Sequence, residues 1–421
     1  MDETSFPIAK PRSMLLIAYK AFADLAGKGS LFLITIVAAR RLSPESFGVF
    51  SIGSTLGWML AVVSDCGIQL HLARAVARQP AAAPRLLRGW LRVRVWMTIV
   101  TTALAVALSL LSSAASAAPV AILALVYACS GLVELLHYFY RGLSRSEVES
   151  SLTLWQRGGT LLCGLTALAW RPDVTVLAVA MLIPVALTLA ASLRIAIRLA
   201  PDRAGNHWHG EVCSWLVFRR DVWPIGAGIV LSALYFRIDI FLLQLWSGTE
   251  AVARYNAVFR LVEALRLFPA AVLAVVLPAL VRAGNLRPLA RVAVPVTAFA
   301  VATTAVLWMS AGWLVPLIYG APYGAAVPAF RLLLLSFPLM ALNYALTHQL
   351  VVWDGQRAYA GLCAVALAIN VVMNARLIPI WSIEGAAWTT LATELALTAG
   401  CAVALWSCHA AARSGQLAAE A

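Results

Sequence analysis

The sequence has few charged residues and almost no lysine. Charged side chains make up 12% of the 421 residues and hydrophobic side chains 62%, whereas about a quarter of a typical soluble domain is charged. A soluble core cannot bury so many apolar side chains, because the surface would then have to be apolar as well. The composition therefore excludes an ordinary soluble protein and predicts that most of the surface faces lipid.

The motifs of common enzymes are also missing. The chain contains no GxxxxGK[ST] for ATP, no HExxH and no GxSxG. Its seven cysteines form no CxxC pair, and most of them lie within apolar runs, as small buried hydrophobes do. His207 and His209 share a loop that offers no further ligand. We therefore predict a protein that is not an enzyme, with no catalytic residue, no metal site and no cofactor.

The formal net charge of +13 does not indicate a nucleic-acid partner. Basic residues occur in short clusters between long apolar runs, for example over residues 74–94 and 194–220, and mostly in alternate loops. This is the asymmetry of the positive-inside rule, and it predicts both termini in the cytoplasm. The opposite loops carry five basic residues: Arg40, Arg41, Arg171, Arg254 and Arg376.

Apolar runs long enough to cross about 30 Å of hydrocarbon as helices recur along the whole chain. They cover residues 14–38, 46–70, 93–113, 118–140, 152–170, 174–197, 222–246, 253–281, 292–317, 327–352, 358–377 and 384–407. The predicted fold class is an all-α integral membrane protein with about twelve transmembrane helices.

A weak internal repeat divides these helices into two sets. Residues 42–51 (LSPESFGVFS) and 247–256 (SGTEAVARYN) align at an offset of 205, and each links the first two helices of its half. Two six-helix lobes related by a pseudo-two-fold axis along the membrane normal would produce this pattern. The predicted domains are an N-terminal lobe at 1–200, a cytoplasmic linker with an interfacial helix at 201–221, a C-terminal lobe at 222–408 and a cytoplasmic tail at 409–421.

Several segments resemble those of a known family. RRLSPESFGVFSIGSTLGWMLAVVSDCGIQ resembles the first loop and second helix of bacterial polysaccharide flippases, and YFRIDIFLLQLWSGTEAVARYNAVFRLVEALRLFPAAVLAVVLPAL resembles their seventh and eighth helices. PLIYGAPYGAAVPAFRLLLLSFP and NARLIPIWSIEGAAWTTLATE are similar to their last four helices. The likeness extends over about 40–395. Ala253 departs from the pattern, since relatives usually have glycine there.

The resemblance implies the fold of the multidrug/oligosaccharidyl-lipid/polysaccharide exporter superfamily, with two lobes around a hydrophilic cavity. It implies that the cargo is an undecaprenyl-pyrophosphate-linked oligosaccharide for O-antigen (lipopolysaccharide) or exopolysaccharide. The expected partners are this lipid-linked oligosaccharide and membrane lipids, with a polysaccharide polymerase and glycosyltransferases of the same pathway as further candidates. At twelve helices the chain lacks the additional pair typical of peptidoglycan lipid II flippases.

Charged residues inside the predicted helices are the candidate substrate-binding residues, since a charge at the bilayer centre costs at least about 2.5 kcal/mol. The spacing of those in helices one and eight places them on one face of each helix. The candidates are Lys20, Asp24, Lys28, Arg237, Asn256, Arg260, Glu263 and Arg266. For helix one the alternative is lysine snorkelling, and for helix eight it is an inter-helix salt bridge. Asp239 has either a structural ion pair or a functional role.

Two carboxylates, Glu394 and Asp65, are candidates for coupling transport to an ion, with structural hydrogen bonding as the alternative for each. The predicted function is alternating-access export of a lipid-linked oligosaccharide from the cytoplasmic to the periplasmic leaflet. Two other functions remain open: a multidrug exporter of the same fold, which would favour an acidic cleft, and a membrane-embedded polysaccharide-assembly enzyme, which would favour a large periplasmic loop.

Overall fold

A computed structural model describes residues 11–110, 114–200, 213–282, 287–353 and 355–420. All regular elements in these ranges are helical. The long helices are α1 (Pro11–Arg41), α2 (Pro44–Asp65), α4 (Ala83–Leu110), α5 (Ala114–Gly142), α6 (Ser146–Trp170), α7 (Val174–Leu199), α9 (Trp223–Leu265), α10 (Leu267–Arg282), α11 (Arg287–Tyr319), α12 (Val327–Val352) and α13 (Gln356–Glu420). Shorter elements are α3 (Ile68–Arg78), α8 (Trp215–Val217), a π-helical turn (Phe218–Val222) and 3₁₀ turns at Pro80–Ala82 and Ala321–Ala326.

The chain is an all-α membrane protein. Nine helices in the described ranges are long and apolar enough to cross a membrane, and two of them, Trp215–Leu273 and Gln356–Ser407, have 59 and 52 residues. Helix α6 has 25 residues but is not one of the nine. Gln156 and Arg157 in its middle make it less apolar than the others.

Helix α9 is a hairpin of two helical arms, 223–247 and 249–265. Gly248 between them has φ 81° and ψ 178°, a conformation that is essentially restricted to glycine. The Tyr255 hydroxyl donates to Asp239 Oδ2 at 2.5 Å, whereas sixteen residues of straight helix would separate the two by about 24 Å. The chain therefore turns back at Gly248, and the two arms lie side by side.

Helix α13 folds back in the same way at Ser382, which has φ 47° and ψ −122°. A Cβ atom built on Gly385 would lie 2.4 Å from the carbonyl oxygen of Leu377, although eight residues of straight helix would separate the two by about 12 Å. Only glycine allows the two arms to approach so closely at this point. Helix α13 then continues to Glu420, where the sequence predicted a tail.

The predicted second helix (46–70) is too long. It ends at Asp65, because Cys66 and Gly67 have φ 44° and 88° and start a turn. A separate amphipathic helix, α3, follows. It buries Ile68, Leu72 and Val76, which are spaced four residues apart on one face.

The predicted eighth helix (253–281) is broken at Arg266, between α9 and α10. Proline has no N–H and cannot donate to the carbonyl four residues earlier. Pro269 therefore leaves the carbonyl of Leu265 without its helical donor, and α9 ends at that residue. Of the predicted linker (201–221), residues 201–212 lie outside the described ranges. Ser214 caps the short helix α8 by accepting from the Val217 N–H.

The chain divides into two compact units. Unit 1 comprises Met1–Ala38 and Leu56–Val222, and unit 2 comprises Ala39–Thr55 and Trp223–Ala421. The predicted lobes are continuous stretches, whereas in the structure residues 39–55 group with the second half of the chain. The reason lies in close contacts within unit 2: a Cβ on Gly48 would lie 2.2 Å from the carbonyl oxygen of Thr249.

Each unit has its own packed core. In unit 1 the core surrounds the fully buried side chains of Trp90, Phe139 and Tyr140. The Tyr140 hydroxyl hydrogen bonds to the carbonyl oxygen of Ser192, which joins α5 to α7. In unit 2 the arms of α9 pack against α13, and α12 packs against α13 and α11. This packing fixes the α9 hairpin that carries the polar residues described next.

Candidate functional site

The α9 hairpin brings together four of the predicted site residues in unit 2. Glu263 Oε2 accepts from Arg237 Nη2 at 2.9 Å and from Arg260 Nη1 at 2.7 Å. Arg237 Nη1 also donates to Asn256 Oδ1 at 3.2 Å. The sequence grouped Asn256, Arg260 and Glu263 by helical spacing, and the fold-back at Gly248 adds Arg237 from the other arm.

Aromatic rings hold the guanidinium groups of this region. The Arg237 guanidinium carbon lies 4.4 Å from the centroid of the Phe259 ring, and that of Arg266 lies 4.5 Å from the centroid of the Phe236 ring. Both contacts have the geometry of a cation–π interaction. We call Arg237, Asn256, Arg260, Glu263 and Arg266 the arginine cluster. The cluster holds three guanidinium groups and one carboxylate, so it is net positive by its own residues, while the carboxylates of Asp239 and Glu394 act electrostatically on Arg237 and Arg266 from outside it.

The charged side chains of the arginine cluster differ in how far they are exposed. Arg237 is 3% exposed, whereas Glu263 and Arg260 are 33% and 27% exposed. Charged groups that are this exposed within a membrane helix border water or other polar groups, because contact with lipid would be too costly. An anion arriving from water would meet Arg260 first, while Arg237 stays anchored behind it.

Asn256 ties the arginine cluster to the first half of α2. Its Nδ2 donates to Ser51 Oγ at 2.9 Å, and the Ser51 hydroxyl donates to the carbonyl oxygen of Phe47 at 2.8 Å. Ser51 and Asn256 are 205 residues apart, which is the offset of the internal repeat. Equivalent positions of the two repeat segments are thus hydrogen bonded to each other. The sequence offered no separate indication of Ser51.

Asp239 lies on the other side of the hairpin and bonds a phenol, not a basic residue. Besides the Tyr255 hydroxyl, it accepts from the Ile240 N–H at 2.9 Å. The Tyr255 hydroxyl is also 3.1 Å from Thr390 Oγ1 on α13. Tyr255 aligns with Phe50 in the internal repeat, but the alignment did not indicate its contact with a carboxylate.

A small polar cavity borders Asp239 and Glu394, the predicted ion-coupling residue of α13. The lining also includes Asn370, Thr390 and Thr393, and its water-accessible volume of ≈ 10 Å³ is about that of one water molecule. Glu394 Oε2 accepts from Asn343 Nδ2 at 2.7 Å. We call this space the carboxylate cavity.

A pair of amide side chains on α13 lies beside the carboxylate cavity. Asn374 Nδ2 donates to Asn370 Oδ1 at 2.7 Å, and both side chains are buried. Asn374 Oδ1 and Thr393 Oγ1 accept no hydrogen bond from any residue in the described ranges. The cavity and its surroundings therefore combine two carboxylates with unoccupied oxygen acceptors.

The predicted residues of α1 lie in unit 1 and are arranged differently. Lys20 Nζ is 2.7 Å from Glu149 Oε1, and Glu149 also accepts from Arg141 Nε at 2.9 Å. Asp24 and Lys28 are exposed. Neither forms an ion pair within the described part of the chain. We call Lys20, Asp24 and Lys28 the α1 stripe.

The exposed side of α1 has a polar and an apolar half. At 100° per residue, Phe22 is about 160° from Asp24 and Leu33 is about 140° from Lys28. Phe22 and Leu33 are 62% and 49% exposed, as expected of lipid-facing side chains, and Leu25 lies between the two halves. The polar half therefore faces away from the side chains that suit lipid.

The second predicted ion-coupling residue, Asp65, is buried and holds the turn between α2 and α3. Its two oxygens accept from the N–H groups of Gly67 and Gln69, both at 3.1 Å. Arg94 lies 4.0 Å away and donates to Ser64 Oγ at 2.8 Å. Glu149 and Arg94, which complete these contacts of unit 1, were not identified from the sequence.

The described residues contain no group of three or more His, Cys, Asp or Glu side chains that could hold a metal ion.

The fold is shared with known membrane transporters. The chain is similar to the lipid II flippase MurJ in an inward closed conformation, with a TM-score of 0.74 at 12% identity over 93% of this chain and 87% of that one. It is also similar to an inward-facing multidrug resistance MATE family transporter of the MOP superfamily, with a TM-score of 0.70 at 15% identity over 93% and 95%. At such identities the likeness shows the fold alone.

A third similar structure is a MOP superfamily transporter from Pyrococcus furiosus, whose binding pocket is described as having reversed polarity. Its TM-score is 0.63 at 15% identity, over 93% of this chain and 94% of that one. This likeness, too, shows the fold alone.

No curated protein matches the chain. The sequence model of a family described as "Polysaccharide biosynthesis protein" matches residues 17–283. Because this match covers well over half of the chain, the protein belongs to the polysaccharide biosynthesis protein family, and it has the fold that MATE transporters and MurJ share.

Proposed function

We propose that the protein is a flippase that moves an undecaprenyl-pyrophosphate-linked oligosaccharide to the periplasmic leaflet of a bacterial inner membrane. The cargo would serve O-antigen or exopolysaccharide synthesis. The observation that carries the proposal is the arginine cluster, in which two guanidinium groups share one carboxylate and a third lies against Phe236, inside a membrane protein of this family. The proposed protein crosses the membrane twelve times, with both termini in the cytoplasm. This number agrees with the nine candidate spans in the described ranges if the hairpins of α9 and α13 each cross twice and α6 also crosses.

The chemistry of the cargo explains why such a cluster is needed. A diphosphate and several sugars cannot cross hydrocarbon unaccompanied, because burying unpaired charge and unsatisfied polar groups is prohibitive. Guanidinium groups replace water around phosphate oxygens with bidentate, charge-assisted hydrogen bonds. The lipid tail can remain in the bilayer throughout.

The geometry suggests how an anion is received and released. Glu263 Oε2 is bonded to both Arg237 and Arg260, so an incoming phosphate competes with this carboxylate for Arg260. Arg237 keeps its bond to Asn256 and holds Glu263 nearby. When the phosphate leaves, Glu263 bonds Arg260 again. In this mechanism Glu263 keeps the cluster from binding its cargo too tightly.

The membrane potential can drive export without ATP. Moving negative charge outward across an inside-negative membrane gains about 2.3 kcal/mol per charge per 100 mV. We further propose that a proton or a sodium ion is coupled at Glu394, since the carboxylate cavity combines two carboxylates with oxygen acceptors. Asp65 is the weaker candidate, because backbone N–H groups already occupy both of its oxygens.

Reconstituted protein tests the proposal. Wild-type protein in liposomes should make undecaprenyl-pyrophosphate-linked oligosaccharide accessible to a membrane-impermeant glycan probe, and Arg260→Ala should abolish this movement. The protein level and melting temperature of that variant are measured alongside, so that a loss of transport is distinguished from a loss of folding. The matched control is Arg376→Ala, which removes another exposed arginine of unit 2. Transport by Arg260→Ala at the wild-type rate would refute the assignment.

Cells provide an independent test. A strain that lacks the protein should accumulate lipid-linked oligosaccharide in the cytoplasmic leaflet and lose surface polysaccharide. Normal surface polysaccharide in that strain would contradict the proposal.

The second candidate is a multidrug exporter, favoured by the similarity to a MATE family transporter. Cationic drugs require acidic partners, whereas the arginine cluster is net positive. The two carboxylates of unit 2 that line a cavity border a space of about one water molecule. Drug-stimulated efflux from intact cells that Arg260→Ala leaves unchanged would favour this alternative over glycan export.

A further inference from the structure

Unit 2 contains a larger pocket that the candidate residues do not explain. It has a volume of ≈ 420 Å³ and is bordered by the end of α1, the start of α2, the end of α11 and the 3₁₀ turn after it. Its lining includes Arg40, Arg41, Tyr319, Tyr323 and Pro44, and no acidic residue. The volume lies within the range of small-molecule sites. We call it the tyrosine pocket.

The positive charge of the tyrosine pocket is only partly used within the protein. Arg40 Nε donates to the carbonyl oxygen of Ile318 at 2.7 Å and Arg40 Nη2 to that of Leu317, so this side chain caps the carboxyl end of α11. A guanidinium has five N–H groups, and Arg40 shows no further bond in the described ranges. Arg41 is exposed and forms no ion pair there. Capping accounts for Arg40 but not for Arg41.

Two phenols of the pocket also lack partners. Tyr319 and Tyr323 are each 1% exposed, and neither hydroxyl makes a hydrogen bond to a described residue. A buried hydroxyl without a partner costs about 1–3 kcal/mol, so each such group calls for an explanation. Their rings lie 5.7 Å apart at 47°. Both hydroxyl oxygens are closed off from water, so a ligand bonds them only after the two rings shift toward the pocket. A ligand that carries both hydroxyl and anionic oxygens would then satisfy the phenols and Arg41.

The pocket lies near the arginine cluster. Arg260 is close to Tyr319, and Arg254 is close to Tyr323. Arg40, Arg41 and Arg254 are also three of the five basic residues in the loops that the charge asymmetry assigns to the outside. Because that asymmetry keeps arginine out of such loops, two of them lining one pocket, with a third near Tyr323, require a local reason.

We propose that the tyrosine pocket is a second binding subsite, which holds the phosphate groups and adjoining sugar of the cargo on the outer side before release. This inference rests on the proposed flippase function and deepens it. Arg41 and the remaining N–H groups of Arg40 bind the anionic oxygens, while the Tyr319 and Tyr323 hydroxyls bind sugar oxygens. The cargo passes from Arg260 to this subsite along the side of Tyr319.

Transport by variants in liposomes tests the subsite, with undecaprenyl-pyrophosphate-linked oligosaccharide as the probe. Arg41→Glu removes a hydrogen-bonded positive charge and should slow movement of the cargo about tenfold or more. Tyr319→Phe removes a hydroxyl and should slow this movement about threefold to tenfold. The control is Arg171→Glu, an exposed arginine also assigned to the outside, which should move cargo at the wild-type rate. Wild-type rates in Arg41→Glu and Tyr319→Phe, with normal melting temperatures, would overturn the subsite. Absence of movement by the wild type would instead overturn the flippase function.

A binding measurement separates the tyrosine pocket from the arginine cluster. Calorimetry of Arg260→Ala should still detect binding of inorganic pyrophosphate, and adding Arg41→Ala to that variant should weaken it about tenfold or more. Equal affinities in the two proteins would show that Arg41 binds no phosphate and would overturn the proposal. The measurement does not depend on transport, so it tests phosphate binding by Arg41 even if the cargo is another phosphorylated molecule.

Discussion

The positive charges of α9 and those of α1 are organised in opposite ways. In unit 2 the most buried cation, Arg237, bonds Asn256 and is joined to Arg260 through Glu263. In unit 1 the paired cation, Lys20, lies at one end of its stripe, and Lys28 at the other end has no acidic partner in the described ranges. The arginine cluster is therefore a fixed structure, and the α1 stripe is a row of separate charges.

The difference follows from the local fold. The hairpin of α9 places two helical arms side by side, so charges from both arms meet within hydrogen-bonding distance. Helix α1 is a single helix, and its packed face uses small residues such as Ala23 and Gly27. Its charges lie to one side of that packed face. Helix α1 does not fold back into a second arm that would place further polar residues beside them. Charges form a hydrogen-bonded cluster when two helical arms lie side by side, whereas regular spacing along a single helix is enough to form a stripe.

Removing Arg237 should have the largest effect. Arg237→Ala leaves Asn256 Oδ1 without its donor and Glu263 with Arg260 as its remaining partner. An unsatisfied buried acceptor costs about 1–3 kcal/mol, and the lost contact with the Phe259 ring adds to this cost. We expect a large fall in melting temperature and a loss of transport. If the cluster is a structural unit, Arg237→Met combined with Glu263→Gln should recover part of the stability but no transport. Full transport by the double variant would show that Arg237 only balances Glu263.

Disturbing the hairpin should have the next largest effect. Gly248→Ala forces a side chain into a conformation that costs about 1–3 kcal/mol, and the strain acts on both arms at once. Thermal unfolding should detect the loss, and transport should fall with it. Gly361→Ala is the matched control, because it adds the same methyl group within α13, where no atom lies within 4 Å. Equal stability of the two variants would mean that Gly248 does not set the turn.

The sequence predicted much of the helical framework, because long apolar runs are set by the thickness of the bilayer. It did not predict the ends at Asp65 and Leu265, which depend on backbone effects within apolar sequence. Pro269 removes one donor and Cys66 adopts a positive φ, and neither changes hydropathy. The average hydropathy of a stretch of sequence therefore predicts where helices lie, but it does not predict where such a stretch is broken into two helices.

The site was predictable only where its residues share a helix. Helical spacing grouped Asn256, Arg260 and Glu263, since that information is local. The bond from Arg237 to Glu263 depends on the fold-back at Gly248, and Glu149 lies outside the apolar run that was assigned to its helix. Contacts of this kind join residues far apart in the sequence, and a single chain carries no local pattern for them.

The α1 stripe should contribute to transport and little to stability. Lys28→Ala removes an exposed charge that has no partner among the described residues, so the melting temperature should stay unchanged. If Lys28 binds the cargo, transport should fall about tenfold, the effect of one lost charged hydrogen bond. Lys28→Arg, which keeps the charge, should retain most of the rate. Wild-type transport by Lys28→Ala would restrict cargo binding to unit 2.

Lys20 should give the smallest effect, and its variant distinguishes the two ends of the stripe. Lys20 is 31% exposed, and Arg141 stays bonded to Glu149 when Lys20 is replaced. An ion pair at this exposure contributes about 0.2–1 kcal/mol, so Lys20→Ala should lower the melting temperature slightly and leave transport near wild type. Glu149→Gln, which weakens both contacts, should destabilise unit 1 more. If Lys20→Ala instead stopped transport as Arg260→Ala should, the stripe would act as a second cluster, and its pairing with Glu149 would be part of the transport cycle.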